Sequence, residues 1–561
     1  MITRKAMLNR RRFVQGLAVS TVLASSTMMY RSAWADSKPT QLTGTEFDLE
    51  IAPMPVNITG QEGIATVVNG QLPGPVLRFK EGDTVTIRVT NKLDEMTTIH
   101  WHGIILNANM DGVPGISFPG IAPGETFIHR FKVVQHGTYW YHAHTLHEQT
   151  GVYGTLIIDP VDPSSEPKVD RDYPIVLSDW TDEAPLDVYL NLKKMGGYYN
   201  YQQLTVNDFI ADISAAGLGK SVSKRMLWNK TRMSPTDFSD VSAATYTYLM
   251  NGNSPAANWL GTAKAGERVR LRFVCAATAS YFDVRIPGLK LTVIATDGQR
   301  VKPVDVDEFR LGPGETYDVI VKISDNRAYT IFAQSMDRSG FTRGTLAPQQ
   351  NMSAEVPELD APVRLELVDM MGDMAQKQNG NSMMPMARKK PNHAYTEYGP
   401  GVDMRVDNPR INLDDPGPGL RNNGRRVLTY ADLKSIESPP DKRIPSQEIE
   451  LHLTGNMERF IWSIDGLKLN EAKPIHFPEG ERIRVILHND STMTHPMHLH
   501  GMWSDLESPD GQFQVRKHTI SVQPAQRVSM LVTVDAEGRW AFHCHLLYHM
   551  AAGMFREVVV A

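Results

Sequence analysis

The sequence predicts an all-β protein built from three β-sandwich domains. Two strand patterns, each found three times along the chain, carry this prediction. The first is a Gly-containing turn followed by an alternating strand, as in RFKEGDTVTIRVTN (78–91), TAKAGERVRLRFVC (262–275) and HFPEGERIRVILHN (476–489). The second follows each of these: IAPGETFIHRFKV (121–133), LGPGETYDVIVKI (311–323) and VQPAQRVSMLVTV (522–534). Short alternating strands between Gly and Pro turns are typical of sandwiches, and three copies indicate three similar domains.

The domain boundaries are predicted from these repeats. We expect a first domain at residues 40–165, a second at 166–350, a linker at 351–425 and a third domain at 426–561. The apolar fraction of 41% and the charged fraction of 22% are ordinary for a globular protein with a core. The formal net charge of −5 gives no basic surface, so we expect no nucleic-acid partner.

Residues 1–35 have the composition of an export signal. They carry six basic residues and no acidic one, with Arg10, Arg11 and Arg12 ahead of a mildly apolar stretch and Ala33-Trp34-Ala35 at its end. This pattern predicts a twin-arginine signal peptide and a periplasmic protein. A membrane anchor is the alternative, but the apolar stretch is short and rich in Ser, Thr and Ala. We find no other run long enough to span a membrane.

Four His-x-His motifs are the strongest chemical feature of the sequence. They are His100 and His102, His142 and His144, His498 and His500, and His543 and His545. Alternate residues of a strand point to the same face, so each motif presents two imidazoles together. Two motifs lie in the predicted first domain and two in the third, and we expect the eight side chains to line a shared cleft. Imidazole suits Cu, Zn, Fe and Ni.

Cys544 lies between His543 and His545, so on a strand it faces the opposite side. His495, His549 and Met554 complete a set of two imidazoles, one thiolate and one thioether around it. This is the donor set of a blue-copper electron-transfer site. It argues against a catalytic zinc, which keeps an open position for water.

The predicted middle domain keeps the strand pattern but lacks these ligands. Phe332-Ala333-Gln334 occupies the place of His142-Ala143-His144. Cys275 is expected to be a buried structural thiol. The remaining histidines are interpreted as ordinary residues: His129, His136, His147, His393, His452, His476, His488 and His518.

These motifs also resemble those of a known family. HWHG (100–103), HAH (142–144), THPMHLHG (494–501) and HCHLLYHMAAGM (543–554) are similar to the four copper signatures of multicopper oxidases. Longer stretches, such as FAQSMDRSGFTRGTL (332–346) and RNNGRRVLTYADL (421–433), resemble the bacterial copper-resistance protein A subfamily. The resemblance covers nearly the whole chain after the signal and implies three cupredoxin-like, Greek-key domains.

The resemblance implies four copper ions and a role for each ligand. His495, Cys544, His549 and Met554 would hold the type 1 copper, and His100 and His498 the type 2 copper. The two type 3 coppers would be held by one set of His102, His142 and His545 and another of His144, His500 and His543. Electrons from a donor would pass through Cys544 to His543 or His545, and O2 would be reduced to water.

The implied activity leaves the donor open. The resemblance favours oxidation of Cu(I) to Cu(II) in copper tolerance, with O2 and a small reducing substrate as partners. A laccase-like phenol oxidase is one alternative, and a periplasmic copper-sequestering protein is the other. Other copper-resistance proteins of the periplasm are candidate partners, and a monomer is the default expectation.

Two further features have competing interpretations. Asp111, in NMDGVPG, matches an acid that relatives keep near the type 2 site, but Asp-Gly is also a common turn. No acid lies between His545 and His549, which leaves a second proton donor unidentified. Several methionines lie in the predicted linker, where Cu(I) capture, a core role and a plain linker are all open. They are Met370, Met371, Met374, Met383, Met384 and Met386.

Overall fold

The protein is described here by a computed structural model covering residues 40–230, 232–373 and 390–561. The predicted signal peptide at 1–35 lies outside the described residues. Within them the strands form six sheets, which fall into three pairs along the chain. The all-β prediction is therefore confirmed, and each pair packs apolar side chains between its sheets. The predicted boundaries near residues 165, 350 and 425 stay predictions.

The first pair of sheets spans residues 41–159. One sheet has the order β3-β2-β5-β7, and its strands are β2 (Glu46–Val56), β3 (Gly63–Val68), β5 (Thr84–Asn91) and β7 (Thr126–Lys132). The other has the order β1-β4-β9-β8-β6, formed by β1 (Gln41–Thr43), β4 (Val76–Lys80), β6 (His100–His102), β8 (Gly137–His142) and β9 (Tyr153–Asp159). A one-turn helix, α1 (His147–Thr150), connects β8 to β9.

The second pair spans residues 171–347. One sheet is β11-β10-β13-β18-β15-β16: β10 (Arg171–Trp180), β11 (Thr247–Met250), β13 (Arg268–Cys275), β15 (Leu291–Thr296), β16 (Gln299–Val306) and β18 (Thr316–Lys322). The other is β12-β20-β19-β14-β17: β12 (Trp259–Thr262), β14 (Phe282–Arg285), β17 (Glu308–Leu311), β19 (Tyr329–Ser335) and β20 (Phe341–Ala347). Three helices are inserted between β10 and β11: α2 (Pro185–Lys194), α3 (Val206–Ala216) and α4 (Leu218–Lys230).

The third pair spans residues 447–560. One sheet is β22-β21-β24-β29-β26-β27: β21 (Gln447–Asn456), β22 (Ile461–Ile464), β24 (Arg482–Asn489), β26 (Ser504–Glu507), β27 (Phe513–Lys517) and β29 (Arg527–Thr533). The other is β23-β31-β30-β25-β28: β23 (Ile475–Phe477), β25 (His495–Leu499), β28 (Thr519–Val522), β30 (Gly538–Cys544) and β31 (Phe555–Val560). A short helix, α6 (Leu547–Ala552), connects β30 to β31.

The three pairs share one strand arrangement, as the sequence repeats predict. The first repeated pattern forms strands β5, β13 and β24. Each of them pairs in parallel with the strand of its sheet that comes first in the chain, which is β2, β10 or β21. Each also pairs antiparallel with the second pattern, β7, β18 or β29. Alternating side chains put one apolar row of each strand into the core. Val85, Ile87 and Val89 of β5, for example, are fully buried.

The predicted linker packs against the other elements where it is described. It contains a short helix, α5 (Leu367–Met371), and a single turn of 3-10 helix at Tyr395–Tyr398, and another such turn follows it at Tyr430–Asp432. Further 3-10 turns occur at Ala108–Met110 and Pro163–Ser165. None of the described helices is long and apolar enough to cross a membrane.

A buried ion cluster joins the second and third pairs of sheets. Lys517, on β27, is fully buried, and its Nζ lies 3.0 Å from Asp297 Oδ2 and 3.2 Å from Glu315 Oε1. Thr296 Oγ1 accepts a further hydrogen bond at 2.8 Å. A buried cation is tolerated only when carboxylates and hydrogen bonds replace water around it. The contact therefore fixes how these two parts of the chain meet.

We expect Lys517→Met to destabilise the protein by about 3–5 kcal/mol, because it leaves two buried carboxylates without their cation. Denaturant unfolding would measure the loss. Lys468→Met is the matched control, since Lys468 pairs with Glu471 at the surface and exposed pairs contribute about 1 kcal/mol or less. Equal unfolding midpoints for the two variants would contradict a structural role for Lys517.

Candidate metal centre

Neighbouring strands bring the four His-x-His motifs together in two groups. On β6 and β8, His100 lies directly opposite His142. On β25 and β30, His498 lies directly opposite His543. Within each motif the two imidazoles share a face, so each strand pair presents its rings to one side. All eight rings are buried.

The two groups meet in one assembly, which we call the histidine cluster. Nε2 of His543 lies 3.1 Å from Nε2 of His144 and 3.0 Å from Nε2 of His500. The His102 and His498 rings stack at 3.8 Å between centroids, and His102 lies 4.9 Å from the ring of His545. The structure thus places the first and third pairs of sheets on either side of a shared site, with four imidazoles from each.

The outer ring nitrogens of the cluster are held by oxygen acceptors. His100 Nδ1 donates to the Asp111 carbonyl at 2.7 Å, and His498 Nδ1 donates to the His518 carbonyl at 2.6 Å. His142 and His543 each make the same contact with the carbonyl of the next residue, at 3.0 Å. A neutral imidazole that donates from Nδ1 keeps a lone pair on Nε2. The backbone therefore selects the tautomer that turns an acceptor nitrogen inward.

The inward nitrogens fit metal ions. Nε2 of His100 and of His498 are buried and have no hydrogen-bond partner among the described residues. Two acceptor nitrogens about 3 Å apart, as in His500 and His543, repel each other unless a cation lies between them. Nitrogens bound at about 2.0 Å to one ion are separated by about this distance. The donors present thus suit the copper that the sequence motifs imply.

Burial sets the protonation state of the cluster. It lowers the pKa of His102, His142 and His498 well below the usual value, and neighbouring imidazoles lower it further. For His543 burial lowers the pKa to about 4. These four rings are therefore neutral at ordinary pH, which is the form that binds metals.

Cys544 faces the opposite side of β30, as its alternation with His543 requires. Its Sγ lies 3.6 Å from His495 Nδ1 and 3.8 Å from His549 Nδ1, and these two nitrogens are 3.2 Å apart. All three side chains are fully buried. We call this group the cysteine site. Burial raises the pKa of the Cys544 thiol, so a metal that binds there must displace its proton.

Helix α6 and its flanking residues shape the cysteine site. His549 lies on this helix, and Trp462 stacks on its ring at 3.9 Å between centroids. Met554 is fully buried just after the helix, where its backbone N–H donates to the His549 carbonyl and its carbonyl accepts from Cys544. These backbone hydrogen bonds hold Met554 next to His549 and Cys544.

Two buried carboxylates contact the outer side of the histidine cluster. Asp111 Oδ2 accepts from His500 Nδ1 at 2.9 Å, and Asp111 Oδ1 lies 3.3 Å from His100 Nδ1. Glu148, on α1, lies 3.3 Å from His142 Nδ1. Burial, followed by the charge of Asp179, raises the pKa of Glu148 well above its usual value.

Glu148 was missed by the sequence interpretation, which searched for a second acid only after His545. The segment TLHE (145–148) follows the HAH motif just as LLYH (546–549) follows HCH. Glu148 therefore occupies the repeat position of His549, which the sequence could have shown. Asp240 was also missed, because it belongs to the middle domain. Its Oδ2 lies 2.9 Å from His549 Nε2, and no local pattern marks it as a neighbour of that ring.

His518 was interpreted as an ordinary residue, but the structure places it against the histidine cluster. Its ring is buried and lies 4.7 Å from that of His102. A ring nitrogen of His518 lies within metal-sharing distance of those of His102 and His498. His518 Nδ1 also lies 3.1 Å from Thr519 Oγ1, which gives the ring a structural partner.

The methionines of the linker divide between two settings. Met370 is buried in the core on α5, and Met371 is partly buried against it. This placement favours a core role for Met370. Four others lie outside the described residues, and Cu(I) capture by them stays a prediction: Met374, Met383, Met384 and Met386.

The middle pair of sheets carries no copy of the histidine motifs at the matching positions. Phe332, Ala333 and Gln334 lie on β19, where the repeat places them, and are buried. Cys275 is a buried free thiol, as expected.

Comparisons with known proteins agree with this geometry. Family models described as multicopper oxidase match residues 50–163, 171–353 and 442–561. The chain is 53% identical to a copper resistance protein A homolog of Pseudomonas syringae pv. tomato, over 98% of this chain and 99% of that protein. It is 50% identical to copper resistance protein A of Escherichia coli, with the same two coverages.

Solved structures show the same fold at lower identity. A multicopper oxidase from Pseudomonas thermotolerans superposes with a TM-score of 0.60 at 21% identity, covering 93% of this chain and all of that one. The cupredoxin-like architecture predicted from the sequence is therefore confirmed. Three family matches across the chain and half-identical relatives over its full length lead to one conclusion: this chain belongs to the multicopper oxidase family and is an oxidoreductase that uses copper.

Proposed function

We propose that this enzyme oxidises Cu(I) to Cu(II) with O2 and so contributes to copper tolerance. The main support for oxidase activity is the position of Cys544. Its side chain belongs to one metal site, while its neighbours His543 and His545 belong to the other. A protein that only stored copper would need no such connection between two buried sites. The names of the half-identical relatives support copper resistance as its setting.

The proposed ligand assignment is the one that the family resemblance implies, and it is supported by two groups of close donor atoms: His144, His500 and His543, and His495, Cys544 and His549. The type 1 copper would be held by His495, Cys544, His549 and Met554, and the type 2 copper by His100 and His498. One type 3 copper would be held by His102, His142 and His545 and the other by His144, His500 and His543. The four coppers, when bound, would take single electrons from the donor and supply four of them to O2, which becomes water.

The protein's own groups arrange this chemistry. The His543 ring donates to the carbonyl of Cys544 at 3.0 Å, so covalent bonds and one hydrogen bond connect the two sites. Both sites are buried, and burial keeps rings such as His102, His142 and His498 neutral by lowering their pKa. Asp111 and Glu148 contact outer nitrogens, where carboxylates orient ligand rings and make them more basic. We also propose these two acids as the groups that hold protons for O2 reduction.

A cavity lined in part by methionines supports Cu(I) as the donor. It has a volume of about 590 Å³, and its lining includes Met195, Met233, Met457 and Asp237. Thr492 Oγ1, three residues before His495, donates to Met233 Sδ at 3.1 Å. Soft thioethers select Cu(I) over harder cations. The cavity thus offers suitable donors, one of which is hydrogen-bonded to Thr492 in the segment that leads into His495.

Location and assembly rest on the sequence. The basic, Arg-rich pattern at residues 1–35 supports export by the twin-arginine pathway to the periplasm. We propose that the mature enzyme acts there as a monomer, alongside other proteins of copper resistance.

Oxygen uptake by the copper-loaded enzyme tests the proposed donor. We expect fast uptake with Cu(I), slower uptake with a simple phenol, and an increase in the KM for Cu(I) in Met233→Leu/Met457→Leu. A variant lacking residues 374–386 shows whether the other methionines contribute, and it spares the buried Met370. Uptake with phenol alone would indicate a laccase-like oxidase, and no uptake with either donor would leave a sequestering protein.

Asp111→Asn is expected to lower kcat about 10–100-fold with little loss of copper. The amide oxygen can still accept from His500 Nδ1, but an amide carries no charge and cannot take up and release a proton as a carboxyl group can. Turnover at saturating donor and copper content by mass spectrometry measure the two effects. Asp111→Ala is the comparison, since it removes the acceptor and should also lower copper content. Unchanged turnover in Asp111→Asn would indicate that Asp111 has only a structural role in the Asp-Gly turn.

Met554→Leu is expected to raise the reduction potential of the type 1 copper. Loss of the thioether removes an electron-donating axial ligand, which favours the reduced state. Spectroelectrochemistry at the blue absorption band gives the potential, and Met550→Leu, on the neighbouring half-buried position of α6, is the control. An unchanged potential in Met554→Leu would show that Met554 is not a ligand.

A further inference from the structure

A second group of buried histidines and carboxylates lies in the third pair of sheets, away from the copper ligands assigned above. Its centre is His452 on β21 and His488 on β24, two strands that pair in parallel. The two residues are register partners, and their rings stack at 4.7 Å between centroids with an angle of 12°. Glu450 lies two residues before His452, so its side chain leaves the same face of the sheet. Both histidines were interpreted from the sequence as ordinary.

One carboxylate oxygen of this group lies close to a ring nitrogen of each histidine. Glu450 Oε1 lies 2.9 Å from His488 Nε2 and 3.5 Å from His452 Nε2. Neither Nε2 has a well-aligned hydrogen bond among the described residues, although both are buried. Separations of about 3 to 3.5 Å are those of donors that share one metal ion. The group therefore has the spacing of a binding site and lacks the hydrogen bonds that would complete it.

Neighbouring carboxylates orient His452. Its Nδ1 donates to Asp490 Oδ2 at 2.7 Å and lies 3.3 Å from Glu397 Oε2. Asp490 and Glu397 are both fully buried. A carboxylate on one ring nitrogen fixes the tautomer and raises the basicity of the other, which is the usual arrangement behind a metal-bound histidine. His452 Nε2 is thus directed toward Glu450, and a metal ion that binds there would replace the proton on this nitrogen.

The electrostatics of the group favour a cation. Burial alone would lower the pKa of His452, yet Asp490 and the other nearby carboxylates raise it to about 8. His393, which donates from Nδ1 to Glu397 at 2.8 Å, lies beside it, and its buried Nε2 has no hydrogen-bond partner in the described part of the chain. The side chain of Glu450 is 25% exposed and provides the open side.

We propose that His452, His488 and Glu450 form a separate binding site for a divalent cation, with Cu(II) as its ion. Imidazole nitrogen and carboxylate oxygen suit divalent ions, and the absence of sulfur among these three donors disfavours Cu(I). Cu(II) binds nitrogen and oxygen donors more tightly than the other divalent ions of its row. The site does not depend on the oxidase activity, but an enzyme that produces Cu(II) would supply its ligand.

Copper binding to the loaded enzyme tests the site. Cu²⁺ is added to the fully metallated protein, excess is removed by gel filtration, and copper per chain is measured by mass spectrometry. We expect the parent to retain one more Cu(II) than Glu450→Gln and His488→Gln, and to bind it at least tenfold more tightly. Glu448→Gln is the matched control, because Glu448 lies on the same strand but pairs with Arg484 at the surface. It should retain the extra ion.

Electron paramagnetic resonance of the parent protein tests the site even if a variant folds poorly. The extra Cu(II) in the parent should give an axial signal with hyperfine coupling to two ring nitrogens, additional to that of the enzyme before Cu²⁺ is added. Oxygen uptake with Cu(I) reports separately on the oxidase centre, so the two proposals can fail independently. Equal copper in the parent and in both folded variants would overturn the site, and so would a parent without the additional signal.

Discussion

The alternation of side chains along one strand is the constraint on which both metal sites depend. On β30, His543 and Cys544 are adjacent and must point to opposite faces. His543 joins the histidine cluster, and Cys544 joins His495 and His549 on the other side. One peptide bond therefore separates two chemically different donor sets. A single-residue shift of register in β30 would exchange their faces and destroy both sites at once.

Burial determines what the assembled residues can do. Imidazoles whose outer nitrogens donate to backbone carbonyls turn their second nitrogen inward, as His100 and His498 do, and that nitrogen has no hydrogen-bond partner among the described residues. In an apolar protein interior such converging acceptors would be unfavourable without a cation. The same burial that keeps His102 and His142 neutral thus leaves ring nitrogens free to bind a metal.

The sequence contains the part of the site that depends on local geometry. The repeats and the His-x-His spacing predict the strands, their faces and the gathering of eight imidazoles. They do not contain contacts made by packing between distant segments, such as Glu148 near His142 or Asp240 near His549. The meeting of His452 and His488 was hidden for the same reason. Parallel neighbours in a sheet come from segments with no local connection, and only the register identifies them.

The middle pair of sheets has no copies of the histidine motifs, but its carboxylates contact residues beside both metal sites. Its Asp240 reaches the outer nitrogen of His549, and its Asp297 contacts both Lys517 Nζ and the backbone N–H of His518. His518 and Lys517 immediately precede β28, which pairs with the strand that carries His498. A displacement of the middle sheets would therefore shift ligands of both sites together. The histidine cluster needs matching halves from the first and third pairs, and the middle pair contributes to their alignment through buried charges rather than through metal ligands.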